Sequence, residues 1–263
     1  VEDQKLYSAI EDIVLNRQDV ITNLANAGRE IRVLKNDRNK QVISFFFPPA
    51  QKRLVLKIAY LRGNVLRRFF RSFGGSACRK EFERTDYFFR QGFNVPQPIV
   101  WGEVRKWGWL IKSYLICQEI ESATTLGNYL AGFSDRADKE KLREKRQVIR
   151  ILAGYLGRLH QRFIYHCDLR NKHILIKPVA GEKSIFLIDC EATRIYSKAN
   201  EKILIWDLRK LRKSTMDYFK QGRITQTDRL RFFKEYVKYN PEVAEKFKYY
   251  ASQITRLADE WDD

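Results

Sequence analysis

Between His160 and Glu191 the chain reads HQRFIYHCDLRNKHILIKPVAGEKSIFLIDCE, and this stretch holds all three of its histidines together with Asp168 and Asp189. Carboxylates and imidazoles are the side chains of acid–base work and of metal binding. They lie in a helix end and a polar loop that two apolar runs follow, Ile174-Leu175-Ile176 and Ile185-Phe186-Leu187-Ile188. A polar loop pinned by apolar strands is held rigidly, which is where chemistry is usually built. Zinc is not expected, because the histidines lack the close His-x3-His pairing and the cysteine or carboxylate partners of such sites.

The spacing can be compared with the kinase pattern H-R-D-L-x-x-x-N followed by D-F-G, in which one Asp accepts the proton of the substrate hydroxyl and the Asn and second Asp hold metal. His166-Cys167-Asp168-Leu169 follows H-x-D-L, and Asp189-Cys190-Glu191 ends an apolar run where D-F-G would stand. His173 occupies the position of the Asn. With HCDLRNKHILI and LIDCEATR in this order, the chain resembles the Kdo/WaaP lipopolysaccharide kinase family, bacterial enzymes that phosphorylate sugars of the lipopolysaccharide inner core. The resemblance implies an α+β fold of two lobes, protein-kinase-like, with a small antiparallel β lobe and a larger, mainly helical lobe. It implies ATP and Mg²⁺ as cofactors and a sugar hydroxyl of Kdo or heptose as acceptor. Asp168 would orient and deprotonate that hydroxyl, and Arg170 would neutralise charge on the transferred group. Asp189 and His173 would hold magnesium, although imidazole is a poorer magnesium ligand than oxygen, so His173 has a second reading as a hydrogen-bond donor to phosphate.

The elements that must position these groups are visible upstream. Residues 30–34, 41–47 and 53–60 are rich in β-branched and aromatic side chains and separated by Asn, Asp and Pro, which predicts three strands. The third contains Leu54-Val55-Leu56-Lys57-Ile58-Ala59, resembling the V-A-I-K strand whose lysine grips the α- and β-phosphates. A helix is predicted over 77–91, closed by Gly92, and it offers Glu81 as the partner of Lys57, with Glu83 as a competitor on another face. The tip of the first hairpin, residues 35–40, contains no glycine. It either binds phosphate through its cations and the N–H groups of Asn and Asp or is a solvated charged hairpin. Further strands are predicted over 101–119, with Gly102 and Gly108 marking turns. They lead into Glu119 and Glu121, whose backbone groups the resemblance assigns to the adenine edge.

Helices are predicted over 126–130 and 138–161, the latter carrying Ile149, Leu152, Leu156 and Leu159 on one face and delivering the loop. His160 and His166 read as packing and hydrogen-bonding residues. Trp206 to Leu211 resembles the buried helix whose Asp, here Asp207, holds the catalytic-loop backbone. Residues 6–24 suggest one or two amphipathic helices ahead of the main domain. The resulting division is a helical extension over 1–28, a nucleotide-binding lobe over 29–118 and a catalytic lobe over 119–263.

Composition bounds the partners. Fifty Lys and Arg against 32 Asp and Glu give +18, which favours anionic ligands without choosing among nucleotide phosphate, phosphorylated glycolipid, anionic membrane and nucleic acid. The segment 62–71, in which Arg62, Arg67, Arg68 and Arg71 interleave with Phe69 and Phe70, suits a lipid surface or nucleic acid, or forms a solvated basic helix face. Lipopolysaccharide core glycolipid and peripheral contact with an anionic membrane are the expected partners, and nucleic acid is not expected. Four dispersed cysteines suit a reducing cytosol, and no apolar run is long enough to span a bilayer; with these, the resemblance implies a cytoplasmic protein peripheral on the inner face of the bacterial inner membrane. The rivals are an atypical protein kinase, an antibiotic or other small-metabolite kinase, against which the charge of +18 argues, and a kinase-like binding module without catalysis.

Overall fold

Residues 40–60 are rich in β-branched and aromatic side chains, and in the computed structural model they fold as strands that bury alternate apolar residues, Ile43, Phe45 and Phe47 in one and Leu54, Leu56 and Ile58 in the next. The structure describes residues 30–61, 75–133, 139–179 and 182–255. The helices predicted over 6–24 and the basic segment 62–71 lie outside the described residues. The chain divides into two units, Val1–Glu121 and Ser122–Asp263.

In the first unit, β1 (Ile31–Asn36), β2 (Lys40–Phe47) and β3 (Lys52–Tyr60) are followed by α1 (Ala77–Arg90), β4 (Pro98–Lys106) and β5 (Trp109–Gln118). The five strands form one antiparallel sheet in the order β1-β2-β3-β5-β4. One face buries Ile43, Phe45, Leu54, Leu56, Ile58 and Ile116 in a common apolar core. Lys57, one residue out of phase with Leu56 and Ile58, points from the opposite face, where α1 packs. The α1 helix is started by the Ser76 side chain, which accepts from the Arg79 N–H, and Gly92 with φ of +75° follows its end.

Gly108 sits in a turn as expected, but Gly102 does not. It lies inside β4 opposite Tyr114, and a Cβ there would come within 2.4 Å of the Tyr114 ring. A glycine inside a strand marks close approach as often as a turn, and here the buried Tyr114 ring requires it.

The second unit opens with β6 (Thr124–Thr125) and α2 (Leu126–Ala131), then α3 (Lys139–Gln161) and β7 (Ile164–Tyr165). It continues through β8 (Ile174–Val179), β9 (Glu182–Leu187) and β10 (Arg194–Ile195). The unit closes with α4 (Glu201–Lys220), α5 (Gln226–Tyr236), α6 (Pro241–Glu245) and α7 (Phe247–Thr255). The short strands pair as β6-β8-β9 and β10-β7. Val148, Leu152, Tyr155, Leu156 and Leu159 bury one stripe of α3, while α4 buries Leu204, Asp207, Leu208 and Leu211. No helix among the described residues is long and apolar enough to cross a membrane.

Candidate active site

In the first unit the Lys57 ammonium meets the Glu81 carboxylate. Both are buried, at 8% and 6% exposure, so neither charge could be left alone without a large desolvation penalty. The choice of Glu81 over Glu83 follows from helix phase. Cys78, Glu81, Thr85 and Phe88 form the buried stripe of α1, whereas Glu83 lies on the exposed side and pairs with Arg79 at 2.8 Å.

The tip of the first hairpin is organised by Asp37. Its carboxylate accepts from the N–H groups of Asn39 (2.9 Å) and Lys40 (2.8 Å) and pairs with Lys35. The Lys35 contact and those backbone bonds hold Asp37 down at a pKa of about 2. Two amides that could have faced a phosphate are therefore directed at a side chain. At the end of β5 the Glu119 side chain contacts Arg32, Arg53 and Ser44, and its N–H donates to the Arg53 carbonyl at 2.9 Å. That leaves the Glu119 carbonyl as its backbone group for a ligand, and exposed Glu121 follows.

In the second unit the loop that carries Asp168 is gripped by one face of α4. Asp207, fully buried, accepts from the N–H of His166 (2.6 Å) and of Cys167 (2.7 Å), an arrangement that Cys167 reaches with φ of +61°. Lys210 donates to Asp168 Oδ1 at 2.9 Å. Ser214 accepts from the Asn171 N–H at 3.0 Å and its carbonyl from the Asn171 side chain at 2.6 Å. Positions 207, 210 and 214 follow one another along a helix face, so a single rigid element sets the loop at three points.

Asp168 receives a second cation, Arg170 Nε, on the same oxygen at 2.9 Å. Burial alone would raise the Asp168 carboxyl. The Lys210 bond and charge, with the Arg170 charge, more than offset it, so the group sits below the ordinary carboxylate range. Lys210 is the functional residue that sequence reading missed. Its signal is a cation three positions after Asp207, on the helix face that Ser214 continues, and its ammonium also lies 5.1 Å from the Trp206 ring centroid.

His173 Nδ1 lies 2.8 Å from the Asp168 carbonyl oxygen, which can only accept, so Nδ1 carries the proton. Burial, aided by the neighbouring His166, lowers the pKa of His173 despite the two aspartates, so the ring is neutral. Its unprotonated Nε2 consequently faces Asp189 Oδ2 at 3.5 Å, one lone pair opposite another. An imidazole nitrogen and a carboxylate oxygen at this spacing fit a divalent metal whose other positions are filled by water or phosphate oxygens. His166 Nε2 donates to the Ile188 carbonyl at 3.0 Å, tying the loop to the residue before Asp189. Asp189 itself adopts φ of +61°, a conformation that Asp tolerates better than most residues. His160 packs at α3's end, bonded to the Tyr236 hydroxyl at 2.7 Å.

A five-stranded antiparallel unit with a buried strand-lysine and helix-glutamate pair, and a helical unit with an aspartate loop gripped by a buried helix, define a protein-kinase-like fold. The solved structure titled "WaaP in complex with acyl carrier protein" matches it at a TM-score of 0.65, covering 97% of each chain at 18% identity. The profile of the Lipopolysaccharide kinase (Kdo/WaaP) family matches residues 30–236, and the chain belongs to that family. Membership makes it a phosphotransferase of the kinase type. No curated protein matches it.

Proposed function

We propose that this protein transfers the γ-phosphoryl group of ATP to a sugar hydroxyl, of Kdo or of heptose, in the lipopolysaccharide inner core. The observation that carries this reading is the Asp168 loop, fixed by α4 and set beside a neutral His173 whose lone pair faces Asp189. Asp168, kept ionised by Lys210 and Arg170, orients the acceptor hydroxyl and takes its proton as the phosphate bond forms. Arg170 is poised to follow charge onto the transferred group. Asp189 and His173 hold Mg²⁺, which supplies charge neutralisation on the nucleotide phosphates. Lys57, fixed by Glu81, holds the α- and β-phosphates, and backbone groups of Glu119 and Glu121 receive the adenine. On this reading residues 29–118 form the nucleotide lobe, 119–263 the catalytic lobe and 1–28 an extension. The protein works peripherally on the cytoplasmic face of an anionic membrane, where its glycolipid acceptor lies.

The experiment is ATP turnover measured with and without a lipopolysaccharide core acceptor, alongside Mg²⁺-dependent nucleotide binding by wild type and Asp189→Ala. Acceptor-stimulated turnover and loss of the Mg²⁺ dependence in the variant are expected. Turnover indifferent to the acceptor would remove the substrate assignment. A second reading, a kinase-like module that binds without catalysing, is favoured by the glycine-free hairpin whose amides Asp37 occupies. ATP binding with no transfer to any acceptor would select it.

The second unit also encloses an apolar cavity of about 310 Å³, lined by Leu126, Leu152, Leu211 and Phe233 among others, with Arg212 and Arg229 in its wall. Burial lowers the pKa of both guanidiniums, and Arg212 Nε is buried without a hydrogen-bond partner among the described residues. An apolar chain bearing an anionic or strongly polar head suits such a space. The neighbour's complex with acyl carrier protein supports the proposal that a carrier-borne acyl chain occupies it. Acyl-loaded carrier protein should raise the melting temperature more than the unacylated carrier does. Equal shifts would refute the assignment.

A further inference from the structure

The β4–β5 hairpin is longer than the sheet that supports it. The last pair between β3 and β5 is Tyr60 with Lys112, yet β4 and β5 continue pairing to Lys106 with Trp109. The ribbon therefore runs three residues further, about 10 Å at strand rise. Its two-residue turn is Trp107-Gly108, with φ of +50° and +78°. Such a turn is best served by Asn-Gly or Asp-Gly, because an L residue with positive φ is strained and a bulky aromatic gains no local hydrogen bond there.

Trp107 nevertheless occupies the position, and it is 88% exposed, so packing against the described residues does not explain it. The turn is held firmly beneath the ring. Arg105 donates to the Gly108 carbonyl at 3.1 Å and to Glu103 at 3.0 Å. Lys106 places its ammonium 4.9 Å from the Trp107 ring centroid. A local preference has been given up to project an indole with a cation beside it from the end of a narrow, braced ribbon.

We propose that the Trp107 tip is an anchor for the interfacial zone of an anionic phospholipid bilayer, the ring lying among the headgroups and Lys106 meeting their phosphates. Indole favours that zone because its body is apolar and its N–H is polar. Each nearby cation adds attraction to an anionic surface. A protein partner fits less well, since a stable interface needs several hundred Å² per side and a single projecting ring offers far less. The inference rests on the peripheral membrane reading above and adds the structural element that makes the contact.

The test compares wild type, Trp107→Asn and Lys106→Gln by co-sedimentation with vesicles of equimolar phosphatidylglycerol and phosphatidylcholine. Trp107→Asn should lower partitioning roughly tenfold, the scale of a large apolar side chain kept from an apolar environment. Its melting temperature should be no lower than that of wild type, because Asn-Gly suits the turn, so lost binding would not reflect lost folding. Lys106→Gln should weaken binding severalfold at low salt. Wild-type partitioning by Trp107→Asn would overturn the tip's role while leaving the membrane reading intact, and a wild type without vesicle affinity would overturn both. Preferred binding of single-stranded DNA over vesicles, lost in Trp107→Asn, would assign the tip to nucleic acid instead.

Discussion

Asp168→Ala should lower phosphoryl transfer by roughly 10²–10⁴-fold, the usual contribution of a positioned base, with ATP affinity changed little. On the proposed mechanism this carboxylate serves the acceptor hydroxyl and not the nucleotide, so the loss should appear in kcat. The geometry adds a graded companion. Lys210 and Arg170 share one oxygen of Asp168, so removing Lys210 frees the carboxylate to rotate without deleting it. Lys210→Met should therefore cost roughly ten- to a hundredfold in kcat, the scale of a misplaced group, and Lys210→Arg should recover much of it. Steady-state kinetics with the acceptor and ATP varied separately provide the check. Unchanged turnover in Asp168→Ala would remove Asp168 from the mechanism, whereas unchanged turnover in Lys210→Met alone would remove only its supporting cation.

The second large effect is expected at a residue with no role in touching substrate. Asp207→Ala deprives the His166 and Cys167 amides of a buried carboxylate acceptor. Hydrogen bonds to a charged group are each worth roughly 1.5–3 kcal/mol, and leaving the amides unsatisfied adds to the loss. A destabilisation of about 3 kcal/mol or more is expected, which lowers the melting temperature by about 10 °C in a protein of this size. Turnover should fall nearly as far as in Asp168→Ala, since the loop that presents Asp168 loses its anchor. Asp207→Asn keeps one acceptor oxygen but turns an NH₂ toward the second amide, so it should fall between wild type and Ala. Thermal unfolding and single-turnover transfer, measured on the same samples, test this; a variant as stable as wild type would contradict the anchoring role.

Why some of this site was legible in the sequence and some was not follows from the range of the interactions. The loop and its neighbouring elements are local: a helix end precedes HCDLRNKH, apolar runs at strand length follow it, and the positions of Asp168, His173 and Asp189 are set along this one stretch. The pairing of Lys57 with Glu81 was also readable, because the two-residue period of β3 and the 3.6-residue period of α1 each place one group on a buried face. By contrast, the hairpin amides that could have served phosphate are claimed by Asp37, a choice that depends on the turn's three-dimensional course. Gly102 misled for a related reason. Its role is set by Tyr114, which is its neighbour only once β4 and β5 are in register.

The sequence by itself determined short apolar strands, a capped helix and the HCDLRNKHILI and LIDCEATR segments, and the resemblance these segments carry implied the kinase-like plan. Tertiary structure alone decided how the loop's groups are charged and aimed. Lys210 and Ser214 lie more than forty residues from the loop residues they hold, and the proton on His173 Nδ1 is set by a carbonyl that folding places 2.8 Å away. The reason is physical: backbone periodicity is encoded by near neighbours, whereas the ionisation and orientation of a side chain depend on burial and on charges that only folding brings close.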